Sequence, residues 1–320
     1  MTSVANQVYT NIEDVPAAPS VVTIGAFDGV HRGHQHVLAC ARQHADAQGI
    51  RVVVVTFDPL PAQVFRPSSF PGRIVTNARR RELLFAYGAD VVVELPFSRE
   101  MALVTADEFV ARLIDAGPLN DLCVGHDFAL GHNREGTPDR LRELTADHGT
   151  RVHVFDRVDF ACGNTSSTGV RQLILEGRAE EASQVLGHRF QVSGEVVQGA
   201  QIGRTIGFPT ANVAPPQDLV PLQDGIYATY AKIAGHDALP AMTYIGTRPA
   251  VNTGSRMIET HLFDFDADLY GKILTTSFVQ HLRQDADFAG LDALKSQLAR
   301  DEIQARDVLA SHPPMLVTVP

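Results

Sequence analysis

A doubly wound α/β parallel sheet followed by a small antiparallel barrel or sandwich is the fold that this sequence predicts. Three observations predict it. Val-rich runs alternate with longer amphipathic segments through the first half, and after Thr168 the pattern changes to short β-branched and aromatic runs separated by Gly and Pro. At 320 residues the chain also has room for two cores.

Residues 21–24 read as a buried strand, and the helix after them runs from 34 to 45. Residues 51–57 and 91–95 are strands, followed by helices at 79–87 and 106–116 respectively. Strands at 122–124 and 152–155 flank a helix at 138–148. Near-continuous apolar strands separated by helices imply a parallel sheet covered on both faces. Helices at 169–175 and 179–186 then lead to a boundary near Gly187. The second domain contains strands at 190–197, 226–233, 241–245, 258–265 and 273–278, closed by a helix at 291–309. The expected divisions are therefore 1–186 and 187–312, with a C-terminal tail at 313–320.

Composition narrows the class of function. With 44% hydrophobic and 20% charged residues the chain is ordinary for a globular protein, and a net charge of −10 argues against a broad nucleic-acid or anionic-membrane surface. Cys40, Cys123 and Cys162 are widely spaced and form no CxxC pair, so neither a disulfide framework nor a zinc knuckle is implied. The first 18 residues lack the basic-then-apolar layout of a signal peptide, and no apolar run has the length of a membrane span. These features fit a reducing cytoplasm, with no nucleic-acid or membrane partner; self-association is left open.

The chemistry begins after the first strand, in Gly25-Ala26-Phe27-Asp28-Gly29-Val30-His31-Arg32-Gly33-His34. Glycines let the backbone turn sharply, the helix start offers N–H groups to an anion, and His31 and His34 share a face that suits a triphosphate. No carboxylate or cysteine stands at ligand spacing, so zinc is weakly indicated; His36 and His44 add imidazoles without completing a site. The plainer alternative is a strand–turn–helix whose histidines cap and pack. The decapeptide resembles the HxGH signature of the Rossmann-like nucleotidylyltransferases. Its GxFDGxHxGH form is similar to the bacterial riboflavin kinase/FAD synthetase family.

Further motifs extend that resemblance over about residues 21–309. Gly125-His126-Asp127-Phe128-Ala129-Leu130-Gly131 with Arg134 and Gly136 is similar to GxDFxFGxxRxG, and Ser166-Ser167-Thr168-Gly169-Val170-Arg171 to SSTxIR. The segment from Gly199 to Asn212 resembles the kinase signature GxxxGRxxGFPTAN. It is not a Walker loop, since no Gly-Lys-Ser/Thr follows. The chain departs from the family at Leu60, where His often follows Phe-Asp-Pro, at Leu130, at Gly169, and at Arg248-Pro249-Ala250, where Asn-Pro-Thr is common.

The resemblance implies a doubly wound domain followed by a small antiparallel β-barrel with a C-terminal helix. It also implies two reactions: ATP phosphorylates riboflavin to FMN, then a second ATP donates AMP to FMN, giving FAD and pyrophosphate, with Mg²⁺ required. On this basis His31 and His34 are catalytic for adenylyl transfer. Gly25, Phe27, Asp28, Gly33, Ser166, Ser167, Thr168 and Arg171 bind ATP, and Asp127, Phe128 and Arg134 bind the flavin. For the kinase, Gly199, Gly203, Arg204 and Gly207 bind phosphates, Thr210 and Asn212 present oxygens suited to Mg²⁺, Phe208 and Arg283 contact the flavin, and Glu259 is the catalytic base. As a strand, 258–265 puts Glu259, His261, Phe263 and Phe265 on one face and Ile258, Thr260, Leu262 and Asp264 on the other. Asp264 through Gly271 resembles a DFxxDLYG turn and reads as structural. Two alternatives remain: a paralogue in which one site has drifted, or a non-catalytic flavin- or nucleotide-binding regulator.

Overall fold

The computed structural model describes residues 6–156, 165–199, 201–247 and 256–315. Cys162, Ala200, the Arg248-Pro249-Ala250 departure and residues 316–320 of the expected tail lie outside them. The described residues form two compact units, 6–70, 75–156 and 165–167 in the first, 71–74, 168–199, 201–247 and 256–315 in the second. The helices expected at 169–175 and 179–186 group with the second unit.

The first unit runs β1 (Gln7–Tyr9), β2 (Ser20–Ile24), α1 (Arg32–Gln48), β3 (Arg51–Asp58), α2 (Pro61–Phe65), α3 (Asn77–Ala86), β4 (Val91–Pro96), α4 (Ala106–Asp115), β5 (Leu119–Gly125), α5 (Pro138–Thr145) and β6 (Arg151–Phe155). All strand pairs are parallel, in the order β1-β4-β3-β2-β5-β6. Both sheet faces are covered, as the Val-rich runs require. Val22, Ile24, Val53 and Val55 join Phe109, Val110 and Leu113 of α4 in one core cluster. The alternate residues Val21, Val52 and Val54 are buried too. Thr105 and Glu108 form a capping box that starts α4, each side chain bonding the other's backbone N–H. Because β3 and β4 lie on one side of β2 and β5 and β6 on the other, the connection reverses direction between β2 and β5. Such a reversal opens a crevice outside the carboxyl ends of those strands.

Helix α6 (Ser167–Leu175) starts on the last residue of the first unit, and the second unit continues with α7 (Ala179–Leu186), β7 (Gln191–Val197), α8 (Ile202–Thr205), β8 (Ala211–Val213), β9 (Gly225–Ile233), β10 (Leu239–Thr247), β11 (Arg256–Leu262), β12 (Ile273–Arg283) and α9 (Leu291–Ser311). Strands β7 to β12 close into a six-stranded barrel, ordered β10-β11-β8-β7-β12-β9, with all pairs antiparallel. Closure leaves no sheet edge unpaired. Thr229, Thr243, Thr260 and Thr276, all buried, join hydroxyl to hydroxyl at 2.8, 3.0 and 3.2 Å. The last of these bonds links β11 to β12, which are not neighbours, so the lumen is filled rather than hollow. Helix α9 packs outside, placing Ala305 and Leu309 against Ala228, Tyr230 and Met242, with the Tyr230 hydroxyl donating to the Leu309 carbonyl at 2.9 Å.

Candidate active sites

After β2 the backbone enters the left-handed region at Phe27 (φ 47°), Gly29 (81°) and Val30 (39°). Glycine adopts it freely; Phe27 and the β-branched Val30 are strained there. This turn delivers His31 to the N-cap of α1, which starts at Arg32 rather than at His34. There the His31 Nδ1 accepts the His34 N–H at 3.4 Å. The two imidazoles stack with centroids 3.7 Å apart, and Phe27 meets His34 edge-on at 5.1 Å. Burial, and secondarily the neighbouring His31, holds His34 well below the ordinary histidine range. Its buried Nδ1 has no hydrogen-bond partner among the described residues.

An open cavity of about 1140 Å³, counting space continuous with solvent, lies at the carboxyl ends of β2, β5 and β6. It gathers Gly25, Phe27, His31, Gly33 and His34 with Asp127 and Phe128 and with Ser166 and Ser167. Three segments distant in sequence thus meet at the crevice that the strand order opens. Ser167 Oγ donates to the Asp28 carbonyl at 3.0 Å, tying the third segment to the first. Asp28 itself is buried. Arg134 lies exposed and donates to the Asp127 carbonyl at 3.1 Å. Leu130 packs into the sheet core. Thr168 and Arg171 group with the second unit, where Arg171 Nε donates to the Gly72 carbonyl at 2.8 Å.

A separate group, His44, Asp121 and His153, has donor atoms within 4.8 Å of one another. Asp121 is buried and already engages Arg151 through Nε and Nη2, Gln48, and the His153 Nε2, at 2.5 to 2.8 Å. Those four contacts use its four acceptor directions. The group is an ion-pair network, and the imidazoles of His44 and His153 stack at 4.0 Å rather than converging on a point.

In the barrel, register assembles the site. Glu259 on β11 faces Asn212 on β8 and Tyr244 on β10, so the three side chains form a row across adjacent strands. Thr260 points into the lumen, which places that row on the outer face. A cavity of about 650 Å³, including space open to solvent, lies there under α9. Phe208, Met242, Tyr244, Phe288, Leu294 and Leu298 give it an apolar lining, among which stand Glu259, His261 and Arg283. A second open cavity, of about 670 Å³, is lined by Gln201, Arg204, Asp266, Asp268 and Tyr270. Thr210 lines both.

The signature loop is built on close approaches. A Cβ on Gly203 would overlap the Phe208 carbonyl, and the Phe208 N–H donates to the Gly203 carbonyl at 2.8 Å. A Cβ on Gly199 would lie 2.6 Å from the Asn212 amide. His261 Nδ1 bonds the Pro209 carbonyl at 2.7 Å, fixing the chain beside Thr210. Arg283 directs its guanidinium to the buried Asp301, with Nε at 3.0 Å from each oxygen and Nη2 at 2.7 Å from one.

The FAD synthetase family profile matches residues 14–169, and the riboflavin kinase profile residues 186–309. A bifunctional riboflavin kinase/FMN adenylyltransferase of Escherichia coli K12 is 36% identical over 298 residues, 93% of this chain and 95% of that protein. The chain belongs to the bifunctional riboflavin kinase/FMN adenylyltransferase family. The relative from Pseudomonas fluorescens is 38% identical, over 91% of this chain and 93% of its own length. A solved chain from Streptococcus pneumoniae, described as a macrolide-efflux protein, superposes with a TM-score of 0.84 at 30% identity and covers 94% of this chain and 99% of its own. Efflux belongs to that protein's description; among the described residues here, no helix is long and apolar enough to cross a membrane.

Two further features of the chain depart from sequence expectation. Strand β11 stops at Leu262 instead of Phe265, because Asp264 adopts φ 53° and turns the chain. Phe265 therefore leaves the Glu259 face. The segment after Asp264, expected to be only a structural turn, lines the cavity that also holds Arg204. The available signal was its density of polar groups, with Asp264, Asp266 and Asp268 followed by Tyr270.

Proposed function

We propose that FMN adenylylation takes place in the cavity at the carboxyl ends of β2, β5 and β6, and riboflavin phosphorylation on the outer face of the barrel. The observation that carries this reading is the register that sets Glu259, on the wall of an apolar cavity, opposite Asn212, while Thr210 lines both that cavity and a polar one. The apolar cavity suits the flavin ring system, and the polar one, with Arg204, suits the nucleotide. Glu259 takes the proton of the ribityl hydroxyl as its oxygen bonds to the γ-phosphorus and the bond to ADP breaks. Thr210 and Asn212 offer hard oxygen donors, and the close seat of Asn212 on Gly199 holds that side chain in place, which fits Mg²⁺ entering with ATP. The ion would neutralise charge on the transferred phosphoryl group.

In the adenylyl site a phosphate oxygen of FMN attacks the α-phosphorus of ATP, and pyrophosphate leaves. His31 and His34 donate to the triphosphate, Ser166 and Ser167 to the departing pyrophosphate, and Phe128 packs on the flavin. On this reading the chain divides into an adenylyltransferase and a kinase domain working on riboflavin, FMN and ATP. The free thiols Cys40 and Cys123 suit a reducing cytoplasm.

The test supplies ATP and Mg²⁺ with riboflavin or with FMN and separates the products by chromatography. His31→Ala abolishes FAD formation and leaves FMN formation intact. Glu259→Ala does the reverse when FMN is supplied, lowering FMN formation by about 10²- to 10⁴-fold. Chelation of divalent ions stops phosphorylation. Equal damage to both reactions by either substitution would refute the division of sites.

A further inference from the structure

We infer that Arg80 is a positioning residue for adenylyl transfer, acting through the Ala26 carbonyl on the loop that carries His31 and His34. It rests on the assignment of adenylylation to that loop. Arg80 projects from α3 and is 1% exposed, the largest of the fully buried side chains among the described residues. Burying a guanidinium costs several kcal/mol even when it is paired, and an apolar residue of similar volume would fill the space without that penalty. Its partners show what the charge accomplishes. One terminal nitrogen meets Glu94 of β4 at 3.2 Å, and the other donates to the Ala26 carbonyl, also at 3.2 Å. Thr56, opposite Glu94 in the β3–β4 register, donates its hydroxyl to the same carbonyl at 3.2 Å. Arg81 approaches the second Glu94 oxygen at 3.5 Å. Donors from two elements thus converge on one peptide group.

That peptide immediately precedes Phe27, the first left-handed residue of the loop, so the direction of the Ala26 carbonyl sets the plane from which Phe27 departs. The Phe27 ring rests against His34. Val30, left-handed and buried, leads directly into His31. A backbone with two strained non-glycine residues persists only where its surroundings hold it. Released at Ala26, the loop relaxes and carries both imidazoles with it. Misplacement of reacting groups by about 1 Å is enough to lower a rate by about 10²-fold.

The experiment uses the full chain and both reactions. Arg80→Lys keeps a cation for Glu94 but lacks the fork that reaches two partners, while Thr56→Val preserves shape and removes only the hydroxyl. Arg80→Lys is expected to lower kcat for FAD formation from FMN by about tenfold or more, and Thr56→Val by about threefold, with KM for ATP nearly unchanged. The double variant loses less than the product of the two effects, because both act on one carbonyl. FMN formation from riboflavin stays at the wild-type rate in every variant and reports that the barrel unit is intact, while an unchanged far-UV circular dichroism spectrum and unfolding transition report that the sheet unit is folded. A wild-type kcat in Thr56→Val and Arg80→Lys, or a raised KM with kcat unchanged, overturns the inference while loss of FAD formation in His31→Ala keeps the site assignment standing. Full FAD formation in His31→Ala overturns the assignment and the inference together. Should Arg80→Lys fail to fold, Thr56→Val decides alone.

Discussion

A half-buried imidazole stacked on a second imidazole resists protonation, and His34 is in that position. Its folded-state value lies below the ordinary 6.5, so below that pH the unfolded chain binds a proton that the folded chain refuses. His34 therefore has no destabilising effect above pH 6.5 and subtracts stability progressively as the pH falls from there toward its depressed value. Phosphates bound at the same ring reverse the balance, since an anion favours imidazolium. Titration of the His34 ring by NMR is expected to show a midpoint well under 6.5 in the free protein and an upward move with ATP. A midpoint that does not move with ATP speaks against contact between His34 and the triphosphate. The histidines were legible in sequence because everything that defines them is local: a strand, a turn and an i, i+3 spacing. Arg80 was not, because it acts on a backbone carbonyl 54 residues away, and nothing in the identity of Ala26 marks that carbonyl as an anchor point.

Between β12 and α9 the Arg283–Asp301 pair links a cavity wall to the helix that covers it. Asp301 is 1% exposed and Arg283 21%, so removing the carboxylate leaves a partly solvated guanidinium. Asp301→Ala is expected to cost about 2–3 kcal/mol in urea unfolding, below the range for a pair buried on both sides, and to raise KM for riboflavin several-fold. An unchanged KM with full loss of stability means that Arg283 braces α9 without shaping the cavity proposed for the flavin. The elements that sequence periodicity reveals are those with a buried face of adequate length, such as β3 with its four consecutive valines. It does not reveal β1, three residues long, or the single turns α2 and α8. Strand β12 runs past the expected Phe278 to Arg283 through irregularities at Phe278/Gln280 and His281/Arg283, which shift the period of two on which strand reading depends. Strand β8 is hidden for another reason: Ala211–Val213 is so short that its identity as a strand comes from its partners, β7 and β11.

Each unit has a core of its own: the cluster around Val22, Val53 and Phe109 contains sheet-unit residues only, and that around Tyr230, Met242 and Leu309 barrel-unit residues only. The two reactions should consequently fail separately when one core is damaged. Phe278 is fully buried in the barrel, between the rings of Phe190 at 6.0 Å and Tyr227 at 5.4 Å. Truncating it to alanine deletes a ring and leaves a cavity, at about 3–5 kcal/mol. For a unit of this size that corresponds to a fall of roughly 10 °C in its unfolding temperature, at about 2–4 °C per kcal/mol. Samples of Phe278→Ala heated in steps and assayed afterwards for both reactions are expected to lose FMN formation about 10 °C earlier than the parent chain, while FAD formation from supplied FMN is lost at the parent temperature. Simultaneous loss of the two activities would mean that the barrel stabilises the sheet unit, and the energetic independence that the two cores indicate would not hold.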